Sequence, residues 1–372
     1  MEDRSYIIFK NAIQSPKTLI QYDYGLKAFM TFSNIQSHDD LVKLDIDTIQ
    51  QHLENWVMDM TSKGLRASYI RFRLSAVELF LEMNKRVIYK KILHKLIKKD
   101  TQNAGGELPF TTDEVDRMIK STKKLRSKAL IHLLASTGIR PGAIADPVLR
   151  IKHLVEMPHD CMAIHIYDES KEGYWAFLTP EAKKALNDYL NSRRLNGETI
   201  TEESPLFAIE NNEYMTADGL RLVLMGVLKA AGIARVKTGN RYDKALSYGF
   251  RKRFNGILKM DNSVNSNIAE KLMAHKRGLD GVYLKPTREQ CFTEFFKAVK
   301  ELTVDGTHRA KAELKQKEIE ISELEQKQSK INEQEDRIQN LENLVIKIQN
   351  VLRLPEYQET AKRIEEQLTN NL

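Results

Sequence analysis

The first hundred residues carry apolar side chains at the spacing of amphipathic helices. After Ser15-Pro16, a pair typical of a helix N-terminus, four apolar residues recur at intervals of three or four. They are Leu19, Tyr22, Leu26 and Phe29. The same periodicity predicts helices over 46–60, 65–83 and 87–97. We therefore expect residues 1–100 to form a small all-helical domain.

The helix predicted over 65–83 is expected to bury one face. Six of its side chains are expected to point inward: Tyr69, Phe72, Leu74, Val77, Phe80 and Leu81. Residues 1–14, in contrast, show no clear periodicity, so the pattern assigns them no element.

After residue 100 the helical pattern breaks off and resumes in a mixed form. Residues 101–110 contain two glycines and a proline and are predicted to be a linker. Thr111 and Glu114 then have the spacing of a capping box at a helix start. Apolar residues alternate over 162–167 and continue over 174–178, which predicts a hairpin inside an otherwise helical domain over 111–303.

The last part of the chain has the spacing of a coiled coil. Residues 307–352 contain no Gly, Pro or aromatic residue. One heptad register contains Leu314, Ile321, Leu324 and Ile331, and a second contains Ile338, Leu341, Val345, Ile348 and Leu352. The registers join by a step of three near Gln334. We predict a coiled-coil helix over 306–353 and a short helix or tail over 354–372, in a fold that is mainly α with a small β-sheet.

The charge distribution adds a prediction about partners. A formal net charge of +7 and a pI of about 9.0 suit a polyanion. Residues 62–99 hold eleven Lys or Arg against two acids, whereas acids outnumber bases by thirteen to eleven over 306–372. A solvated basic face is the simpler explanation of the first cluster, but a surface that follows phosphates fits its excess better. The predicted DNA contacts there are Arg66, Arg71, Arg73, Lys90 and Lys91.

Other classes of protein are disfavoured by what the sequence lacks. Cys161 and Cys291 are the only cysteines, and their spacing matches neither a metal site nor a redox motif. No apolar run approaches the roughly 18 residues of a membrane span, and no signal-like apolar segment follows the N-terminus. We expect a cytoplasmic, nucleoid-associated protein with no metal, no cofactor and no membrane partner.

Four short stretches carry residues suited to phosphodiester chemistry. They are T-G-I-R at 137–140, E-S-K-E-G-Y at 169–174, Y-G-F-R at 248–251, and L-M-A-H-K-R-G-L-D-G-V-Y at 272–283. Cutting DNA without a metal needs a nucleophile that keeps the broken end as an ester, fixed cations around the phosphate, and an acid for the leaving oxygen. Tyr, Arg, His and Lys side chains in these stretches are candidates for those roles.

In these stretches the chain resembles the tyrosine recombinase family, the lambda-integrase-like enzymes of phages and archaeal mobile elements. The resemblance covers roughly residues 111–300 well and 15–100 loosely. It implies a helical SAM-like core-binding domain and a mixed α/β catalytic domain that together clamp double-stranded DNA. It also implies self-association on DNA, as dimers to tetramers.

The resemblance further implies which residues are catalytic. The six candidates are Arg140, Lys171, Tyr248, Arg251, His275 and Tyr283. Tyr283 would be the nucleophile that forms a 3′-phosphotyrosyl link, and Lys171 would give a proton to the leaving 5′-oxygen. The other four would hold the phosphate.

Residues beside these motifs are predicted to contact DNA, namely Arg253, Lys276 and Arg277. An alternative places Tyr248 in the core and makes Arg253 the catalytic arginine. Taken alone, Lys171 and His275 could also be an ordinary turn residue and a structural histidine.

Four features depart from the family pattern. Ala143 stands where an acidic residue is usual, Tyr248 where a histidine is usual, and Ala274 where a glycine usually precedes the histidine. The gap of eight from His275 to Tyr283 is one shorter than the commonest gap. These departures concern the groups that support the site more than they concern the nucleophile.

We interpret the sequence as a site-specific DNA recombinase that integrates or excises a mobile element. A type IB-like topoisomerase would use similar residues but would act alone. A non-catalytic DNA-binding protein derived from a recombinase would account for Ala143 and Tyr248. Covalent protein–DNA adducts on a suicide substrate would separate that last alternative from the two enzymes.

Overall fold

Helices form most of the chain, which divides into two units, Met1–Asn103 and Ala104–Leu372. The computed structural model describes residues 3–98, 106, 108–168, 170–209, 213–238, 241–275 and 284–354, together with 359, 362–364 and 367. The predicted fold class, mainly α with a small β-sheet, is confirmed.

Over its described residues, 3–98, the first unit contains six helices. They are α1 (Arg4–Asn11), α2 (Pro16–Phe32), α3 (His38–Lys43), α4 (Ile46–Ser62), α5 (Ala67–Met83) and α6 (Lys90–Leu96). Ser15 begins α2 as predicted, because its side chain accepts a hydrogen bond from the Thr18 N–H. Leu26, Phe29, Trp56 and Phe80 lie in one apolar core between these helices.

One expectation for this unit is wrong, and one stretch that the pattern left unassigned is helical. Within residues 1–14, Arg4–Asn11 form α1, and Phe9 on it is fully buried. On α5, Tyr69 and Phe72 are 44% and 42% exposed, whereas Ile70 is buried. The apolar face of α5 is wider than the surface its neighbours cover, so the residues at its edge stay exposed. The Tyr69 hydroxyl instead accepts a hydrogen bond from Arg73 Nε at 3.0 Å.

The second unit begins with helices that surround a small sheet. Its helices before residue 276 are α7 (Thr112–Lys120), α8 (Leu125–Thr137), α9 (Gly142–Ala145), α10 (Pro180–Leu195), α11 (Ala217–Ala230), α12 (Tyr248–Met260) and α13 (Ser266–Leu272). The strands are β1 (Leu154–Glu156), β2 (Met162–Ile166), β3 (Tyr174–Leu178), β4 (Lys237–Thr238) and β5 (Arg241–Tyr242). The predicted capping box at Thr111 is present, with Glu114 accepting from the Thr111 N–H.

The predicted hairpin is the central pair of a three-stranded antiparallel sheet with the order β1-β2-β3. Ile164 pairs with Ala176 at the middle of the β2–β3 ladder. Successive residues of β2 point to opposite faces, so Ile164 joins one apolar core and Ala163 joins a second. Both faces of the sheet are therefore covered, which fixes the turn between β2 and β3 relative to the helices.

The second unit ends in α14 (Arg288–Lys297), α15 (Val299–Leu302) and a single helix of 47 residues, α16 (Gly306–Leu352). The start of α16 is attached to the unit, because Arg309 Nη2 donates to the Thr303 carbonyl at 3.1 Å and Gln316 Nε2 donates to the Phe296 carbonyl at 2.7 Å. Farther along, its apolar side chains are exposed. The helix matches the prediction, whereas its pairing in a coiled coil stays a prediction.

No helix among the residues described here is both long enough and apolar enough to cross a membrane.

Candidate active site

The first motif stretch sits where α8 ends. Gly138 caps α8 in the left-handed region at φ 56°, and its N–H donates to the Leu134 carbonyl at 3.0 Å. A Cβ atom at this position would lie 2.8 Å from Cβ of Phe254, so only glycine fits both the turn and the packing. Arg140 follows in this corner and is half-buried, and its carbonyl accepts from the Ala143 N–H at 2.9 Å.

Arg251 of α12 contacts residues of two other motif stretches, 137–140 and 272–283. Its side chain is only 5% exposed. Nη1 donates to the Gly138 carbonyl at 2.8 Å, and Nη2 donates to the Met273 carbonyl. The same Nη2 lies 3.0 Å from Nε2 of His275. Because two carbonyls hold the guanidinium in place, its orientation is fixed before any substrate binds.

His275 is held from both sides of its ring. Nδ1 lies 2.6 Å from Oε2 of Glu270, while Nε2 faces Arg251. Arginine is always a donor, so Nε2 accepts from Arg251 and Nδ1 carries the proton that is donated to Glu270. The other carboxylate oxygen of Glu270 accepts from Lys259. Glu270 is thus a site residue that motif reading missed.

The residue before His275 explains one departure from the family pattern. Ala274 has φ 51°, in the left-handed region where glycine is favoured. A glycine at this position would adopt the same backbone without strain. The alanine keeps the turn, so His275 still reaches Arg251.

Two cations and several tyrosines share this corner. Burial lowers the pKa of Arg251, and the nearby charge of Arg140 lowers it further. Burial raises the pKa of Tyr174 to about 12, against the lowering effect of Arg251 and Arg140. The buried Tyr174 hydroxyl lies near Arg251 but makes no hydrogen bond of good geometry with it. Two neighbouring guanidiniums in a partly dehydrated corner favour the binding of an anion.

Tyr167 belongs to the same cluster and was also missed by motif reading. Burial raises the pKa of its hydroxyl, and Arg140 and Arg251 are near enough to oppose that rise. Tyr174 ends the E-S-K-E-G-Y stretch without a predicted role, and Tyr167 lies outside the four stretches, because both belong to the apolar pattern of the hairpin. Only the folded sheet brings them to the two arginines.

Lys171 lies on the turn between β2 and β3, as predicted. The Ser170 N–H donates to the Tyr167 carbonyl at 3.1 Å, and the Gly173 N–H donates to the Ser170 carbonyl at 2.9 Å. These bonds order the turn around the exposed Lys171 side chain. Lys171, Tyr174 and His275 line one pocket of about 400 Å³. Leu284, the residue that follows Tyr283 in the sequence, lines the same pocket.

The two alternatives for α12 differ in the exposure of Tyr248 and in the partners of the two arginines. Tyr248 is 49% exposed, so it is not a core residue. Arg253 is 4% exposed, and its Nη2 donates to Thr112 Oγ1 and to the Glu301 and Leu302 carbonyls at 3.1–3.2 Å. The prediction that Arg253 contacts DNA is wrong, because these partners occupy its guanidinium inside the protein. The geometry favours Arg251 over Arg253 as the catalytic arginine, because Arg140 and His275 lie beside Arg251.

The remaining predicted residues fall in two groups. Tyr283, Lys276 and Arg277 lie outside the described residues. In the first unit, Arg71 and Lys91 are exposed, while Arg66, Arg73 and Lys90 are half-buried. Lys90 pairs with Glu82 at 2.7 Å, and Arg73 lies over the Tyr69 ring. Over the described ranges, no group of three or more His, Cys, Asp or Glu side chains is arranged to hold a metal ion.

Comparison with known families agrees with this geometry. Residues 109–279, which include Arg140, Lys171, Arg251 and His275, match the model of the phage integrase family. Residues 109–279 therefore form a phage integrase family domain within the chain. Members of this family are tyrosine recombinases, so the resemblance inferred from the motifs is confirmed. No curated protein matches the chain closely enough to count as a relative.

Solved structures show the same fold for this tyrosine recombinase. A lambda integrase dimer bound to a COC′ core site is 16% identical with a TM-score of 0.50, and the match covers 74% of this chain and 90% of that one. A lambda integrase tetramer bound to a Holliday junction is also 16% identical with a TM-score of 0.50, over 76% of each chain. At this identity the matches establish the fold.

Proposed function

We propose that this tyrosine recombinase cuts and rejoins double-stranded DNA at specific sites, with Tyr283 as the nucleophile. The observation that carries the proposal is the convergence of Arg140, Arg251 and His275, drawn from three separate stretches of the chain. Repulsion between the two guanidiniums would be relieved by a phosphate, whose oxygens accept from both. Attack by the Tyr283 oxygen on that phosphate would give a 3′-phosphotyrosyl link and release the 5′-oxygen.

Lys171 is the proposed donor of the proton that the leaving 5′-oxygen takes up. Its support is its place on an ordered turn that lines the pocket also lined by His275 and Leu284. An ammonium on a flexible stem can reach an oxygen that moves as the bond breaks. Arg140 and Arg251 cannot give up a proton at neutral pH, so their role is to stabilise negative charge.

Glu270 is the proposed support of His275. The family pattern has an acidic residue at position 143, where this chain has a buried alanine. Here Glu270 holds the imidazole in the tautomer that turns Nε2 toward Arg251. A bound phosphate oxygen would compete for the Arg251 Nη2 donor, and a protonated Nε2 could then donate to that oxygen as well.

The proposal extends to DNA binding and assembly. Arg71 and Lys91 are exposed on the first unit and suit phosphate contacts, and similar recombinases are known as a dimer and as a tetramer on DNA. We expect this chain to assemble on its sites in the same way and to be associated with the nucleoid. A topoisomerase acting alone would instead relax supercoiled DNA without exchanging strands between two duplexes.

A nicked suicide substrate tests the nucleophile. Tyr283→Phe should lower the yield of covalent adduct by at least about a thousandfold and leave DNA binding unchanged, because only the reacting oxygen is removed. Tyr214→Phe is the matched control, since Tyr214 is a 45% exposed tyrosine outside the motifs and should be silent. A normal adduct yield from Tyr283→Phe would reject the assignment.

A second substrate tests the division of labour. When the leaving 5′-oxygen is replaced by sulfur, the thiolate leaves without a proton. Lys171→Ala should therefore regain cleavage on this substrate, while Arg140→Ala should stay impaired. If both variants respond alike, Lys171 is not the acid.

A further inference from the structure

The two heptad registers of α16 differ in the composition of their core positions. In the first register, which covers residues 314–335, three of the seven a and d positions are polar. These are Lys317, Gln328 and Glu335. In the second register, which covers 338–352, all five positions are apolar. We call residues 313–336 the proximal segment and residues 337–352 the distal segment.

The distal segment exposes a nearly continuous apolar stripe. Ile338, Leu341, Val345 and Ile348 are each 50–55% exposed. Leu344 and Val351, at neighbouring g positions, add to the stripe and are 53% and 49% exposed. A helix with such a stripe is stabilised when a second helix covers it.

Charged residues at the edges of the stripe indicate which helix covers it. In a parallel pair of identical helices, a g residue of one helix faces the e residue five positions later in its partner. In the distal segment this places Arg337 opposite Glu342, an attractive pair that occurs twice by symmetry. A second copy of the same segment therefore complements the first in charge as well as in apolar surface.

The proximal segment has the opposite preference. The same parallel pairing would place Glu313 opposite Glu318, and Glu320 opposite Glu325. Each of these contacts is repulsive and also occurs twice. Together with the polar core positions, this repulsion disfavours pairing along the proximal segment.

We propose that the distal segments of two protomers pair as a parallel two-stranded coiled coil, while the proximal segments stay apart as single helices. Ile338 and Val345 at a positions with Leu341 at d match the residue preference of two-stranded coils, and only the last two core positions, Ile348 at d and Leu352 at a, depart from it. The paired region spans only about two heptads, which is short for a stable helix pair. The pairing is therefore weak in solution and becomes important where DNA brings protomers together.

Matched variants of the full-length protein test which segment pairs. The substitutions Leu341→Asn and Ile348→Asn together should raise the dimer dissociation constant by at least about 100-fold in sedimentation experiments. Ile321→Asn with Leu324→Asn is the matched control and should change it little. Equal effects of the two pairs would overturn the proposal. So would a wild-type chain that stays monomeric at every concentration, as expected if residues 355–372 covered the stripe instead.

Charge reversal tests whether the partner is a parallel copy. Arg337→Glu should weaken dimerisation by about threefold to tenfold, and adding Glu342→Arg should restore it. Residues five apart on one helix are not neighbours, so recovery reports contact between two helices. Failure of the double variant to recover would overturn the parallel arrangement.

A cysteine probe gives an independent readout of orientation. Val345→Cys should form a disulfide-linked dimer, because equal a positions face each other in a parallel pair. Ile321→Cys should cross-link poorly, since the proximal segments diverge. Cys161 and Cys291 do not interfere, because both are buried and burial raises the thiol pKa to about 12 and about 11. Efficient cross-linking at 321 with none at 345 would refute the arrangement.

Discussion

The two faces of α12 carry arginines that differ in function although they are only two residues apart. Arg251 faces the candidate active site and shares its Nη2 with the Met273 carbonyl and His275. Arg253 faces the opposite side and binds the Glu301 and Leu302 carbonyls, just before α16 begins. Two residues on a helix are separated by about 200°, so neighbours in a motif point to different surroundings.

The difference lies in which groups surround each guanidinium. Arg251 is next to a second guanidinium, that of Arg140, and a phosphate would relieve their repulsion. Burial lowers the pKa of Arg253 to about 10, and hydroxyl and carbonyl oxygens of the protein accept hydrogen bonds from its Nη2. Neither burial nor a neighbouring cation marks a catalytic arginine, since Arg253 is buried and lies near Arg309. What distinguishes Arg251 is that its neighbours, Arg140 and His275, come from the other motif stretches.

Replacing each arginine by lysine is the strongest test of this comparison. Arg251→Lys should lower the rate of suicide-substrate cleavage by about 10²–10³-fold, because a lysine cannot reproduce the paired N–H groups. Arg253→Lys should keep the cleavage rate per folded molecule and lower the free energy of unfolding by about 2–3 kcal/mol. The ratio of the two effects on cleavage is the decisive quantity, and a ratio near one would remove the distinction.

The pH dependence of stability tests the surroundings of the α12 face that carries Arg253. His132 on α8 lies there, with Glu181, Asp305, His308 and Lys128 around it. Burial lowers the pKa of His132 to about 4, so between pH 6.5 and 4 the unfolded chain binds a proton that the folded chain does not. Stability that is present above pH 6.5 is lost over this window, by up to about 3 kcal/mol.

Urea unfolding of wild type and His132→Leu measures this loss. The free energy of unfolding of wild type minus that of His132→Leu should fall by up to about 3 kcal/mol between pH 7 and pH 4. Glu181 is present in both chains, so its own raised pKa largely cancels in the comparison. A difference that does not change with pH would show that His132 titrates normally.

The next test concerns Glu270, which positions His275 on the side of α12 that carries Arg251. Glu270→Ala should lower the cleavage rate by about 10–100-fold, because the imidazole loses the group that fixes its ring. Glu270→Gln should lower the cleavage rate less, since the glutamine carbonyl oxygen can still accept a hydrogen bond from His275 Nδ1. Lys259→Ala removes a partner of Glu270 and should have a smaller effect still. If Glu270→Ala cleaves normally, Glu270 does not position His275.

The smallest expected effect concerns Ala274. Replacing it with glycine should raise the free energy of unfolding by about 1 kcal/mol, because its left-handed backbone costs an alanine but not a glycine. Ala269→Gly is the control and should have the opposite sign, since Ala269 is a buried residue inside α13. Thermal unfolding of the two variants checks both signs.

The sequence predicted those parts of the molecule that local rules determine. The β2–β3 hairpin follows from short-range periodicity and turn residues, and Arg140, Lys171, Arg251 and His275 stand in short motifs. Glu270, Tyr167 and Tyr174 could not be predicted as site residues, because only packing of the sheet and α13 against α12 gives them their neighbours. The burial of Arg253 and the exposure of Tyr69 were missed for the same reason, since the facing element decides both.

The length of α16 sets how far apart two linked protomers can be. Between its anchored root and the distal segment lie about 20 residues, which make a rod of about 30 Å. Two such rods diverging from one paired tip could span at most about 60 Å, which equals some 18 base pairs of duplex DNA. With the distal segments paired, the length of α16 limits the distance between the two catalytic units. Protomers on neighbouring sites can then remain paired, whereas protomers held farther apart cannot.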